Sequence, residues 1–482
     1  MNAAADDRAA KREAPLPWLP ADTIVTIILF LAAAFLRFWR IGYPAGTVFD
    51  ELAYVGFGNN YLRREYFLST HPPLASLVSM VGLWAFGIHS WSWRLGHASF
   101  GVALVVITYL LGRRLIGSRF SAALASSFVL LDGLFLVQSR LALTDVIMVT
   151  FAATSYLLMF RFIQKLDRGV SRVTLLGLGA SLGLCLASKL LYPGVTFLLV
   201  LGFLIFRIAA RDPQVSSSPA RTIIGAALLV SSSAAIAFLA TFLPNFALGW
   251  WGGIESLIHY YSDVIWFQRT VLARAPDLHS SPWWSWPLML HPFVYWWRYV
   301  DGGRIAVIWC GGNPILWWGA TVAMLATLTR VLWRPTLRDT FIVIGYFGYL
   351  AVSLPAGRSL YTFHYMSSLY LAFLALAVSL GDCWAGTASR WEQLALIGVT
   401  IPALWLGLGP VRGLICVVIV LGAYLALLYR DTEPGKLVTA WFLLTAAAAS
   451  IFFFPVWMGL PLEIKSFDAR MWLQGSGLAN WR

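Results

Sequence analysis

About thirteen apolar runs, most of them long enough to cross a lipid bilayer, restrict the fold of this chain more than any other feature. A spanning helix needs about 20 predominantly apolar residues. In hydrocarbon every backbone N–H and C=O must be bonded within the protein, which favours helices. The runs lie near 22–39, 93–112, 120–137, 143–162, 173–188, 192–208, 222–245, 313–332, 340–356, 361–380, 392–408, 412–429 and 437–455. Composition supports the same class, because only 12% of the residues are charged, half of the roughly one quarter found in soluble domains. The expected fold is an all-α integral membrane protein with about 13 transmembrane helices.

The apolar stretch 73–88 is left out of that count because of charge. If it lies in the interface, seven tails and loops become cytoplasmic and hold more than half of the 35 Lys and Arg residues. If it crosses, every later basic loop is inverted, against the positive-inside tendency. The interfacial reading places the long segments 40–92 and 246–312 on the exoplasmic side, with interfacial helices in both. Residues 1–21 then read as a disordered cytoplasmic leader, 22–455 as the membrane domain and 456–482 as an exoplasmic tail. Such a chain resides in a cytoplasmic (inner) membrane, surrounded by membrane lipids.

The net charge of +13 is spread over short loops rather than gathered on one face, so no nucleic-acid partner is indicated. The four cysteines are widely spaced and suggest neither a disulfide framework nor a zinc cluster. Nothing in the sequence requires a cofactor, although the carboxylates are able to hold a divalent metal. The sequence gives no sign of oligomeric state.

Long exoplasmic loops are where chemistry is expected. The first contains Thr47-Val48-Phe49-Asp50-Glu51, two adjacent carboxylates just beyond a span. A carboxylate drawn partly out of water is a suitable general base for a hydroxyl nucleophile; the alternative is that Asp50 and Glu51 cap the following helix. Arg63-Arg64 and His71-Pro72-Pro73-Leu74 follow, either as phosphate ligands or as interfacial anchors. Arg140 and Lys189 sit at the same end of neighbouring spans, where cations neutralise a lipid phosphate; an ion pair such as Arg140 with Asp145 is the competing explanation. Asp132 lies within its span and needs a polar cavity or a partner. Arg358, His364 and Tyr365 belong to the same membrane face. The Trp-rich run with Trp284 and Trp286 is a candidate cover for an acceptor groove. There is no phosphate-binding glycine loop, His-Glu-x-x-His or nucleophile elbow. An exoplasmic transferase has no nucleotide supply, so its donor arrives on a lipid.

Taken in order, these motifs resemble the protein O-mannosyltransferase family of the C-type glycosyltransferase superfamily. The resemblance is carried by Phe49-Asp50-Glu51, Tyr61 through Phe67, His71-Pro72-Pro73-Leu74, Leu131-Asp132-Gly133-Leu134 through Arg140 and Asp145, Trp284 through Leu288, Gly312-Asn313-Pro314 and His364-Tyr365. It covers about residues 25 to 380 and lacks the MIR domain of eukaryotic members, as in the compact bacterial form. It implies a polyprenyl-phosphate-linked mannose donor, a Ser or Thr hydroxyl of an exported protein as acceptor, and inversion at the anomeric carbon. On that analogy Asp50 is the base, Glu51 helps to hold the acceptor and Arg140 binds phosphate. Two alternatives remain: a polyprenyl-dependent transferase acting on a lipid or envelope glycan, and a transporter of lipid-linked sugar.

Overall fold

A computed structural model describes residues 17–166, 171–210, 219–274, 277, 279–355, 359–430 and 432–474. They form two compact units, one comprising Met1–Ser126 with Gln138–Ala275 and the other Ser127–Val137 with Pro276–Arg482.

The first unit holds α1 (Pro20–Phe38), α2 (Glu51–Arg63), α3 (Leu74–Phe86), α4 (Ser90–Leu115), most of α5 (Arg119–Leu131), the end of α6 (Gly133–Arg140), α7 (Thr144–Ile163), α8 (Arg172–Leu186), α9 (Tyr192–Ala209), α10 (Pro219–Ala240), α11 (Leu243–Ala247) and α12 (Ile254–Arg274). Helix α4 is its hub and packs against α1, α3 and α7. Helices α8 and α10 meet backbone to backbone. A Cβ at Gly179 or Gly183 would stand 2.4 Å from the Val230 carbonyl or 2.2 Å from that of Ala234. That spacing of small residues permits close helix approach in membranes.

The second unit holds a helical bundle of α13 (Pro314–Trp333), α14 (Leu337–Ala351), α15 (Met366–Trp384), α16 (Arg390–Gly398), α17 (Thr400–Leu408), α18 (Pro410–Tyr429) and α19 (Gly435–Met458). Helix α15 is buried along almost its whole length, packed by α13, α14 and α19.

Among the described residues, ten helices are long and apolar enough to cross a membrane when α16 and α17 (Arg390–Leu408) are counted together, or eleven if the bent pair α5–α6 counts as one span. The two further expected spans are α8 and α14, of 15 residues each. At about 1.5 Å per residue they reach about 22 Å, short of the roughly 30 Å hydrocarbon core. Helix α3, with 13 residues, is shorter still, in line with the interfacial reading of 73–88. The 58° bend between α5 and α6 falls at Asp132. One oxygen of its carboxylate accepts the Leu134 and Phe135 N–H groups that open α6. The other accepts the Asn313 N–H and Trp317 Nε1–H, each at 2.8 Å. The partner that an intramembrane carboxylate requires is thus a set of neutral donors.

The large loop is not purely helical. Strands β1 (Phe293–Val300) and β2 (Arg304–Cys310) form an antiparallel hairpin, and β3 (Leu462–Glu463) from the C-terminal segment pairs with β2. The turn is Asp301-Gly302-Gly303, with both glycines at positive φ (80° and 71°). An Asp-Gly turn between β-branched and aromatic runs is a hairpin signal. Residues 462–467 are tied to the hairpin through β3 and through Phe467, which packs edge-on against Trp297 at 5.2 Å.

Candidate functional site

Glu51 opens α2 with its side chain fully buried. Arg94, also fully buried near the start of α4, meets it in a two-bond fork: Nε to Oε1 at 2.8 Å and Nη2 to Oε2 at 2.7 Å. The remaining Arg94 N–H groups donate to the Ile41, Pro44 and Gly46 carbonyls. Glu51 in turn accepts the Val48 N–H at 2.9 Å and the Ala142 N–H at 2.7 Å. The expectation that Glu51 holds an acceptor does not fit this geometry, because both of its oxygens are occupied and shielded from water.

Asp50, its neighbour, is exposed. It stands at the N-cap position of α2 but makes no side-chain capping bond. Phe49 before it has φ of 51°, a left-handed conformation uncommon outside glycine. The turn therefore sends two adjacent carboxylates to opposite environments, which a simple capping role does not require.

Two more turns of this unit are linked to the first. Arg140 is buried, and its Nη1 and Nη2 donate to the Leu36, Arg37, Trp39 and Arg40 carbonyls. The guanidinium expected to bind phosphate is thus seated on the carbonyls at the C-terminal end of α1 and beyond it, where a cation is favoured. Asp145 pairs with Lys189 at 2.6 Å, both side chains nearly buried, rather than with Arg140. The Thr144 hydroxyl donates to the Ser188 carbonyl and the Leu74 N–H to that of Ala187. His97, one turn after Arg94, bridges Ser79 Oγ and the Leu143 carbonyl. The His71 ring stacks on Tyr54 at 6.4 Å, and its carbonyl accepts the Tyr260 hydroxyl. Tyr61 donates to Asn245 Oδ1 at 2.8 Å. Burial pushes the Tyr61 and Tyr260 hydroxyls well above their ordinary range, so both act as donors. Arg63 and Arg64 are exposed at the end of α2.

Arg94 is the residue that reading the sequence missed. The available signal was an arginine at the beginning of an apolar run, where an ionisable side chain needs a partner.

In the second unit, Trp286 is buried, with Nε1 donating to Ser281 Oγ at 2.8 Å; Trp284 is exposed. His364 is buried and stacks on Phe363 at 4.5 Å and Trp286 at 6.3 Å. Tyr365 is fully buried with its hydroxyl 3.0 Å from that of Tyr346. The ligand roles expected of Trp286 and Tyr365 therefore give way to packing, because their polar atoms face protein partners, while the His364 Nδ1 lies 3.1 Å from the Tyr361 carbonyl. Arg358 lies outside the described residues. Asp277 accepts the Tyr361 hydroxyl. Burial raises its pKa, but that hydroxyl and the His279 N–H outweigh it and hold the carboxyl below its ordinary range. Among the described residues no three His, Cys, Asp or Glu side chains gather as metal ligands.

Residues 27–90 and 80–250 match the family model for dolichyl-phosphate-mannose-protein mannosyltransferase. Residues 254–476 match the model for the C-terminal four TMM region of protein-O-mannosyltransferase. The chain is 28% identical over 424 residues to a polyprenol-phosphate-mannose–protein mannosyltransferase of Mycolicibacterium smegmatis, covering 74% of this chain and 81% of the relative. To that of Mycobacterium tuberculosis it is 26% identical over 449 residues, covering 78% and 84%. The fold resembles the Saccharomyces cerevisiae protein O-mannosyltransferase Pmt1–Pmt2 complex bound to the sugar donor, with a TM-score of 0.77 at 14% identity over 96% of this chain and 93% of that one. ArnT from Cupriavidus metallidurans bound to undecaprenyl phosphate superposes with a TM-score of 0.52 at 13% identity, covering 91% and 76%.

Proposed function

The chain belongs to the dolichyl-phosphate-mannose-protein mannosyltransferase family, and on that footing we propose that it moves mannose from a polyprenyl-phosphate donor to Ser or Thr hydroxyls of exported proteins. The reaction is a single displacement at the exoplasmic face of the cytoplasmic membrane. Asp50 takes the proton of the acceptor hydroxyl as its oxygen attacks the anomeric carbon. The C1–O bond to phosphate breaks on the opposite face, the configuration inverts, and polyprenyl phosphate leaves with the bonding electron pair. A phosphate is a weak base, so its departure needs positive charge rather than a proton donor. Lys189 supplies that charge by exchanging its Asp145 partner for the phosphate, and Arg140 adds to the field from its seat on the carbonyls.

The observation that carries this reading is the placement of Asp50: an exposed carboxylate on a turn whose flanking residues are locked into buried hydrogen bonds. A general base is effective when held within hydrogen-bond reach of the proton it removes. The distribution of basic residues among the loops supports the exoplasmic location.

Mass spectrometry of exported proteins from cells with and without the gene tests the acceptor. Hexose on Ser or Thr that disappears with the gene is expected. Unchanged proteins accompanied by loss of a sugar from a lipid or envelope glycan would move the assignment to that acceptor class.

A further inference from the structure

We propose that Arg94 is a positioning residue for the transfer reaction, acting through Glu51 to hold the Asp50 carboxylate where the acceptor proton is taken; this rests on the assignment of Asp50 as base.

A guanidinium has five N–H donors, and in Arg94 all of them are engaged by two groups of partners. Three bonds reach the carbonyls of Ile41, Pro44 and Gly46, and two reach the Glu51 carboxylate. Glu51 returns the constraint to the same turn by accepting the Val48 N–H. Only Phe49 and Asp50 lie between the residue that donates to this carboxylate and the residue that carries it. The two-residue segment is thus clamped at both ends by one side chain, and that side chain is fixed by Arg94. The positive φ of Phe49 shows what the clamp imposes, since a bulky residue seldom adopts it unless its surroundings over-determine the conformation. The Ala142 N–H bond to Glu51 ties the same clamp to the turn that leads into Asp145.

The fork also explains why arginine stands here. Lysine carries the same charge but lacks the planar pair of donors that meets both carboxylate oxygens. It cannot hold Glu51 in two directions and three carbonyls as well. A displacement of about 1 Å at a reacting group costs about 10²-fold in rate, so a loosened turn shows in turnover.

The test is a double-mutant cycle on the full-length protein in detergent, with polyprenyl-phosphate mannose and a Ser/Thr peptide. Arg94→Lys in the wild-type background is expected to lower kcat by about 10²-fold while the donor KM moves by less than about threefold. In the Asp50→Asn background the same change is expected to lower kcat by less than about threefold, because nothing remains to be positioned. An equal loss in both backgrounds would make Arg94 merely structural and overturn the proposal. Full activity of Arg94→Lys beside an inactive Asp50→Asn would overturn it as well, leaving the base in place. Full activity of Asp50→Asn would remove the base and the clamp together. If Arg94→Lys does not fold, Glu51→Gln combined with Arg94→Gln leaves no unpaired buried charge and carries the same cycle.

Discussion

Glu51 in the first unit and Asp132 in the second are both fully buried carboxylates that accept four hydrogen bonds each, but the donors differ. Asp132 is held by three backbone N–H groups and an indole, all neutral. It secures a helix break and joins it to the start of α13. Glu51 is held by a guanidinium and two backbone N–H groups, and it secures the turn that presents Asp50. The surroundings of the candidate site residues in each unit differ in the same sense, although the second unit has ion pairs of its own at Arg330, Arg338, Asp339 and Glu392. Around Glu51 the first unit concentrates charge, with Lys189–Asp145 and Arg140 on neighbouring turns. Around Trp286 and His364 the second unit is built from stacked rings and a hairpin. At these two carboxylates, an ionic fork fixes a loop turn and a neutral network fixes a helix break.

The contrast predicts an order of effects. Glu51→Ala leaves the Arg94 charge buried without its counter-ion, which costs about 3–5 kcal/mol. Asp132→Ala leaves only neutral donors unmet, at about 1–3 kcal/mol. Thermal unfolding in detergent should rank Glu51→Ala below Asp132→Ala, and the reverse order would break the comparison. Gly183→Ala pushes a methyl group into the Ala234 carbonyl and should cost about 1–3 kcal/mol by the same measurement, without altering the donor KM. The smallest effect is expected at Tyr361. The folded Asp277 carboxyl lies below its ordinary value, so its contribution is present at neutral pH and is lost as pH falls through the lowered folded value. Tyr361→Phe should therefore reduce the unfolding temperature slightly near neutral pH. The difference should shrink below about pH 4, where the unfolded carboxyl protonates and the folded one begins to follow.

Much of this architecture was legible because hydrocarbon permits few solutions. Apolar runs of sufficient length located ten spans and the bent pair directly. Residues 173–188 and 340–356 looked equally apolar, but their helices stop at 15 residues, and apolarity alone does not mark where a helix ends. The hairpin at 293–310 carried a readable Asp301-Gly302-Gly303 turn. It was obscured by tryptophans, which serve lipid interfaces, acceptor grooves and packed cores alike. For the same reason Trp284 and Trp286 were indistinguishable in sequence, although one is exposed and the other buried. The Asp50-Glu51 pair drew notice as a pair, yet which carboxylate turns inward depends on Arg94, 43 residues away. Lys189 and Asp145 are likewise distant in sequence, and their pairing follows from how α7 and α8 pack.

The most direct test of the central claim compares wild-type protein with Asp50→Asn in transfer of mannose from polyprenyl-phosphate mannose to a Ser/Thr peptide. Product should fall by about 10²–10⁴-fold or more in the variant, the range of acid–base groups, with donor binding and unfolding temperature unchanged. A folded Asp50→Asn protein that transfers mannose at the wild-type rate would contradict the account.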